Sequence, residues 1–173
     1  MAAYTEDARE QALIALMQAY GDSVKRMCCM YLRELGAGED AAQDTFIKAY
    51  EHIDQILSGE VRNEKAWLMR IAVNTCKTTL RSPEYRLYAH SPDMDELPEP
   101  SIEDDRPDAT VLSAVMALPD KYREVVMLHY YQGLPGPEVA RILRVPQATV
   151  LTRLHRARKL LESELKGWYL GDE

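Results

Sequence analysis

An all-α chain, two small helical domains joined by a flexible acidic linker with a helix-turn-helix in the C-terminal one, is the fold class this sequence predicts. Three observations lead there. Leu, Ala, Met, Glu, Arg and Lys, all good helix formers, are abundant, whereas Phe occurs once and Trp twice. Apolar residues recur at spacings of three and four through most of the chain, the period of a helix with one buried face. Between Pro83 and Pro107 that period vanishes in a stretch with five prolines and an acidic excess (Asp93, Asp95, Glu96, Glu99, Glu103, Asp104, Asp105). Such a segment buries too little apolar surface to offset its ordering entropy. The expected domains are therefore 1–85 and 109–168, with a flexible linker over 86–108.

In the first domain, Leu13, Leu16, Met17, Tyr20, Val24, Met27, Tyr31 and Leu35 trace a helical stripe from Thr5 to about Leu35, with a break expected near Gly21-Asp22. Gly36-Ala37-Gly38 should end it, since Gly favours the position after a helix. A second helix is predicted from Glu39-Asp40, whose acids suit the positive helix end, to Leu57 before Ser58-Gly59. Its buried stripe is Ala42, Phe46, Ala49, Ile53 and Leu57. A third runs from Asn63 to Leu80 and closes at Ser82-Pro83, where the residue before proline resists helical geometry.

The second domain reads as four helices, 109–117, 119–132, 135–143 and 146–167, with Pro119, Pro135 and Pro146 as first-turn prolines. Only Arg144-Val145 joins the last two, a connection short enough for helix-turn-helix geometry.

Composition narrows the function classes. No run approaches the roughly 20 apolar residues of a membrane span, and Met1–Asp7 lacks the basic start and apolar run of a signal peptide. The cysteines, Cys28, Cys29 and Cys76, are odd in number and form no CxxC pair, which suits free thiols in a reducing compartment. Cys28 and Cys29 point about 100° apart on a helix, as a core thiol and a surface neighbour would. The chain is expected to be soluble and cytoplasmic. His52, His90, His129 and His155 are scattered without metal-ligand spacing, and no P-loop, GxGxxG or GxSxG occurs. No catalytic residue, metal or cofactor is expected, and the chain does not read as an enzyme.

The net charge of −7 is unevenly spread. Residues 86–108 hold two bases and eight acids, whereas 141–159 hold six bases (Arg141, Arg144, Arg153, Arg156, Arg158, Lys159) and no acid. Screening limits electrostatic reach to about 10 Å, so the local basic segment decides how this part meets an anionic partner.

Three surfaces are candidates for function. On the last helix Val150, Leu154, Ala157, Leu161 and Leu165 form a core stripe, while Thr149, Thr152, Arg153 and Arg156 share another face. Small hydroxyl residues let a helix sit deep in a major groove, and arginines reach guanine edges or phosphates. A solvated basic face on an ordinary hairpin is the competing account. On the helix from Asn63, Arg70, Asn74, Lys77 and Arg81 form one polar stripe with Trp67 at its edge. That combination can stack and hold an unpaired base, although a core Trp beside a surface basic stripe is the commoner arrangement. Glu39, Asp40, Asp44 and Glu51 make an acidic helix face, ordinarily just solvated, that could also dock a basic protein.

Four strings in this order resemble the extracytoplasmic-function (ECF) sigma factors of the sigma-70 family. Residues 39–50, EDAAQDTFIKAY, are similar to the segment that docks on the polymerase clamp helices. Residues 66–72, AWLMRIA, followed by Asn74, are similar to the segment that melts and reads the −10 element. Residues 118–125, LPDKYREV, and 149–158, TVLTRLHRAR, are similar to the domain that reads the −35 element. The resemblance implies an alternative sigma factor that binds bacterial core RNA polymerase and promoter DNA. It implies polymerase contact through Asp40, Gln43, Asp44 and Ile47, and −10 contact through Trp67, Arg70, Asn74, Lys77 and Arg81. For the −35 element it implies Arg144, Gln147, Thr149, Thr152, Arg153, His155 and Arg156. Together with the long linker, it also implies an inhibitory anti-sigma factor. The chain departs from the family pattern at Leu151, where a basic residue is usual, and at Arg144 and Ala148, where glycine is frequent. A stand-alone helix-turn-helix regulator of duplex DNA is the alternative, and a protein-docking module a third.

Overall fold

Thr5 opens the first helix by accepting from Ala8 N at 3.2 Å, and Glu6 and Asp7 follow in the first turn. In the computed structural model, which describes residues 3–89 and 107–169, this helix, α1, spans Glu6–Leu32. It runs straight through Gly21-Asp22, where the sequence pattern predicts a break. A mid-helix glycine costs about 1 kcal/mol. The buried side chains of Leu16 and Val24 on either side contribute about 1.5–3 kcal/mol each, so burial wins.

The helix ends earlier than the glycines suggest. Arg33 takes the left-handed conformation at φ 56°, and Glu34 then caps α2, Leu35–Glu51. Its carboxylate accepts from Gly36 N at 2.9 Å and also from Ala37 N. Gly36-Ala37-Gly38 therefore starts the second helix instead of ending the first. Gly38 is buried against α1, where an added Cβ would lie 2.5 Å from the Cα and Sγ of Cys29. This glycine serves close helix approach, not chain reversal.

The helix predicted to reach Leu57 is two: α2 stops at Glu51 and a single turn, α3, spans Asp54–Leu57. Ile53, between them, stays fully buried, and Gly59 leaves at φ 77°. Helix α4, Glu64–Arg81, is capped by Asn63, whose Oδ1 accepts from Ala66 N at 3.0 Å. Ser82 is extended (ψ 138°), as expected before Pro83. The chain then re-enters a helix, α5, Pro83–Ala89. The predicted linker thus begins inside a helix at Arg86. Ser82 Oγ accepts from Tyr85 N at 3.2 Å, and the Tyr85 hydroxyl donates to the Leu32 carbonyl at 2.8 Å. That bond ties α5 to the end of α1 and satisfies a carbonyl the helix leaves open.

The chain divides into two compact units, 1–94 and 95–173. In the first, α1, α2 and α4 pack on one another. Val24, Met27, Cys28 and Leu32 meet Ala41, Ala49, Leu68, Met69, Ala72 and Val73, all at most 1% exposed. Of the predicted α1 stripe, Leu13 and Tyr20 are half-buried, Met17 is 48% exposed, and Leu35, now at the start of α2, is 56% exposed. Cys28 and Cys76 are buried and Cys29 half-buried, all as free thiols.

The second unit contains α6 (Pro107–Met116), α7 (Asp120–Val126), α8 (Gly136–Leu143) and α9 (Gln147–Tyr169). Pro107 and Asp108, predicted as linker, are helical, and residues 90–106 lie outside the described residues. Helix α7 runs into a π-helical turn, Met127–Tyr131, closed by Gln132 N–H to the Met127 carbonyl at 3.0 Å. Pro119 and Pro135 stand just before α7 and α8 as caps, one position earlier than predicted. Helix α9 packs against α6, α7 and α8, burying Val150, Leu154 and Ala157, while Leu161 and Leu165 are half-buried. Beneath it Arg123 is 5% exposed, donating to Asp120 Oδ1 at 2.8 Å and the Leu118 carbonyl at 3.4 Å. Among the described residues there is no strand, no cluster able to hold a metal ion, and no helix long and apolar enough to cross a membrane.

Candidate functional site

Asp40, Gln43, Asp44 and Ile47 follow one another at three, one and three residues along α2, so they share one face. All four are exposed, Ile47 at 59%. The opposite face buries Ala41, Ala42, Thr45, Phe46 and Ala49. Thr45 sits there without penalty because its hydroxyl donates to the Ala41 carbonyl at 2.7 Å. Glu39 is separated from the acidic face by an ion pair with Lys25 at 2.9 Å, which raises the Lys25 pKa by hydrogen bond and charge. Asp40 and Asp44 make no ion pair with a described residue. Two uncompensated carboxylates beside an exposed isoleucine can meet a partner that offers both cations and an apolar contact.

On α4, Arg70, Asn74 and Arg81 are exposed and Lys77 is half-buried, forming the expected stripe. The helix turns Leu68, Met69, Ala72, Val73 and Cys76 into the core. Trp67 is neither core nor free surface. It is half-buried at the stripe's edge, and its Nε1 donates to Gln55 Oε1 of α3 at 3.1 Å. Sequence reasoning missed Gln55, because its relation to Trp67 arises only when α3 folds beside the head of α4. Arg70, Lys77 and Arg81 make no ion pair with a described acid. The stripe therefore keeps its positive charge for an external anion.

In the second unit, Arg144 occupies the turn between α8 and α9 at φ 57°, and is exposed. The usual occupant of that conformation is glycine, so arginine carries a strain of order 1 kcal/mol there. From α9, Gln147, Ala148, Leu151, Thr152, His155 and Arg156 are exposed, and Thr149 and Arg153 half-buried. An open depression of about 360 Å³ is lined by Lys121, Tyr122, Ala148, Thr149, Thr152, Arg153 and Arg156. Lys121 and Tyr122, from the first turn of α7, are members the sequence pattern did not single out. The guanidinium of Arg156 beside the Tyr122 hydroxyl, with the charge of Lys121, lowers the Tyr122 pKa from the ordinary phenol value.

The arginines of α9 are not equivalent. Arg153 pairs with Glu124 of α7 at 3.6 Å, with side-chain exposures of 24% and 15%. Arg158 donates from Nε to the Tyr130 hydroxyl, and its guanidinium lies 5.5 Å from the centre of that ring. Arg156 is exposed and lines the depression, with no ion pair to a described acid. Of the residues the sequence places on the basic face, Arg156 and Thr152 are the most available, and Arg153 is partly committed to its own fold.

A short helix-turn-helix carrying a basic face, in a chain whose other unit bears an acidic face and a basic stripe, defines a helical protein of nucleic-acid recognition and partner docking. Comparison with known proteins makes the class specific. The chain matches the profile "Sigma-70 region 2" over residues 16–84 and "Sigma-70, region 4" over 109–161. It is 32% identical to the ECF RNA polymerase sigma factor SigW of Bacillus subtilis, over 91% of this chain and 90% of that one. It is 28% identical to the RNA polymerase sigma-H factor of Pseudomonas aeruginosa, over 91% and 88%. Two solved structures share the fold at 23% identity. One is RpoE in complex with the anti-sigma factor NepR from Bartonella quintana (TM-score 0.69; 94% of this chain, 98% of that). The other is CnrH in complex with the cytosolic domain of CnrY (TM-score 0.63; 95% and 91%). The chain belongs to the ECF sigma factors of the sigma-70 family. It is an alternative sigma factor, and its role is to direct transcription initiation.

Proposed function

We propose that residues 1–85 bind bacterial core RNA polymerase and the −10 element and that residues 109–168 read the −35 duplex, while 86–108 link them. Asp40, Gln43, Asp44 and Ile47 dock on the polymerase. Trp67, Arg70, Asn74, Lys77 and Arg81 hold unpaired bases of the −10 strand, where stacking on an aromatic contributes about 1–3 kcal/mol per base. Arg144, Gln147, Thr149, Thr152, Arg153, His155 and Arg156 meet the −35 element, with Arg153 acting from its pair with Glu124. The observation that carries this reading is the acid-free run 141–159, which turns its core stripe inward and leaves Thr152, His155 and Arg156 exposed. RNA synthesis stays with the polymerase, and this chain supplies recognition in the cytoplasm. An anti-sigma factor that covers these surfaces would hold the chain inactive; the solved relatives with the same fold are complexes with such partners or with a cytosolic domain.

Size-exclusion chromatography with purified core polymerase tests the first link. The chain should co-elute, and Asp40→Lys with Asp44→Lys should abolish co-elution while leaving the helical circular dichroism unchanged. Failure of the unaltered chain to bind any of several bacterial core enzymes, combined with tight binding to a duplex on its own, would replace this reading with a stand-alone regulator.

A further inference from the structure

Leu151 is the exposed apolar residue on the reading side of α9, at 58% exposure in the helix's second turn. A single exposed leucine is ordinary on a protein surface, so the position carries the argument. The N-terminal residues of a groove-bound recognition helix are the ones that reach base edges. Ala148 lies three residues before Leu151 and His155 four after it, so the three share one face, and all are exposed. Thr152, next to Leu151, donates its hydroxyl proton to the Ala148 carbonyl at 3.0 Å. Its oxygen is then left to accept. Around this small apolar strip Arg144, Arg156, Arg158 and Lys159 are exposed, with no acid between 141 and 159. That charge selects a nucleic acid over a protein as the occupant.

Leucine has no donor or acceptor for a base edge. In the major groove the apolar group a base presents is the thymine 5-methyl. We propose that Leu151, with Ala148 beside it, packs on the methyl of one thymine in the −35 element and makes this chain select thymine there. The proposal rests on α9 being the −35 reader. An arginine at the same position would instead favour guanine, through its O6 and N7 acceptors.

The test uses holoenzyme reconstituted from the full chain and bacterial core polymerase. Promoter duplexes randomised across the upstream element are selected for binding, and each selected thymine is then replaced by deoxyuridine, which removes the methyl alone. One replacement should weaken binding about fourfold, the effect of returning one methyl-sized group to water. Leu151→Ala should lose that discrimination, and Leu151→Arg should move the preference at the same base pair to guanine. Deoxyuridine effects that are absent, or equal in the unaltered chain and Leu151→Ala, overturn the proposal. Arg156→Ala separates the two levels. If it weakens promoter binding while no thymine methyl matters, α9 reads DNA without Leu151. If it changes nothing and no upstream element is enriched, the assignment of α9 fails as well.

Discussion

Gly38→Ala should destabilise the first unit, and Gly21→Ala should stabilise it, although both place alanine in a helix. At Gly38 a Cβ would sit 2.5 Å from Cys29 Cα and Sγ and 2.7 Å from Cys29 N. Comfortable carbon contacts lie at about 3.5–4.0 Å, so α1 and α2 must separate by roughly 1 Å at their closest approach. The obstructing atoms are largely backbone, in the last turn of α1, and cannot rotate aside. Overpacking of this kind costs about 1–3 kcal/mol, and alanine's better helix propensity offsets at most about 1 kcal/mol. A net loss of about 1–2 kcal/mol lowers the folded-to-unfolded ratio roughly 5- to 30-fold. Gly21 has nothing within 4 Å of the added carbon, so alanine there should add about 0.5–1 kcal/mol. The chain has two tryptophans, Trp67 and Trp168. In a Trp168→Phe background, Trp67 fluorescence follows the first unit through a urea titration, and the midpoints and slopes give both differences. A Gly38→Ala midpoint equal to or above that of the parent would refute the close-packing argument.

Three further outcomes are expected. Asn63→Ala removes the cap accepted from Ala66 N and should cost about 1 kcal/mol in the same urea assay, with Asn63→Asp close to neutral. The Tyr122 phenol should titrate below its ordinary range, and Arg156→Ala should raise it, as read by ultraviolet difference titration against Tyr122→Phe. Because the folded value is the depressed one, this contact adds nothing while the phenol is protonated in both states; its contribution grows as pH rises through the lowered pKa. Glu124→Gln should change stability by less than about 1 kcal/mol, since the Arg153 pair is partly exposed. It should nevertheless steepen the salt dependence of promoter binding, because Arg153 then presents an uncompensated charge. An unchanged slope would mean Arg153 does not approach DNA.

Local chemistry was legible residue by residue. Ser82-Pro83 as a stop and the spacing of Val150, Leu154 and Ala157 each act within a turn or two of their own helix. The same holds for the shared exposed faces of Asp40–Ile47 and of α9, because helical period decides which residues are neighbours. The order of the four family strings carried the function.

What the sequence alone determined about this protein, then, is its helical class, its family and which side chains share a face. Only the tertiary structure decided what those faces and glycines do. Gly21 reads as a breaker until Leu16 and Val24 are seen buried on either side of it, and Gly36-Ala37-Gly38 reads as a stop until Cys29 is seen against Gly38. Trp67 acquires Gln55, Arg153 acquires Glu124, and Arg156 acquires Tyr122, each from a different helix. Tyr85 reaches back to Leu32, and its helix runs on into the predicted linker as far as Ala89. The physical reason is common to all of them. Propensity and period are local terms of about 1 kcal/mol or less per residue, whereas burial and partners across the core are larger and depend on which helices meet.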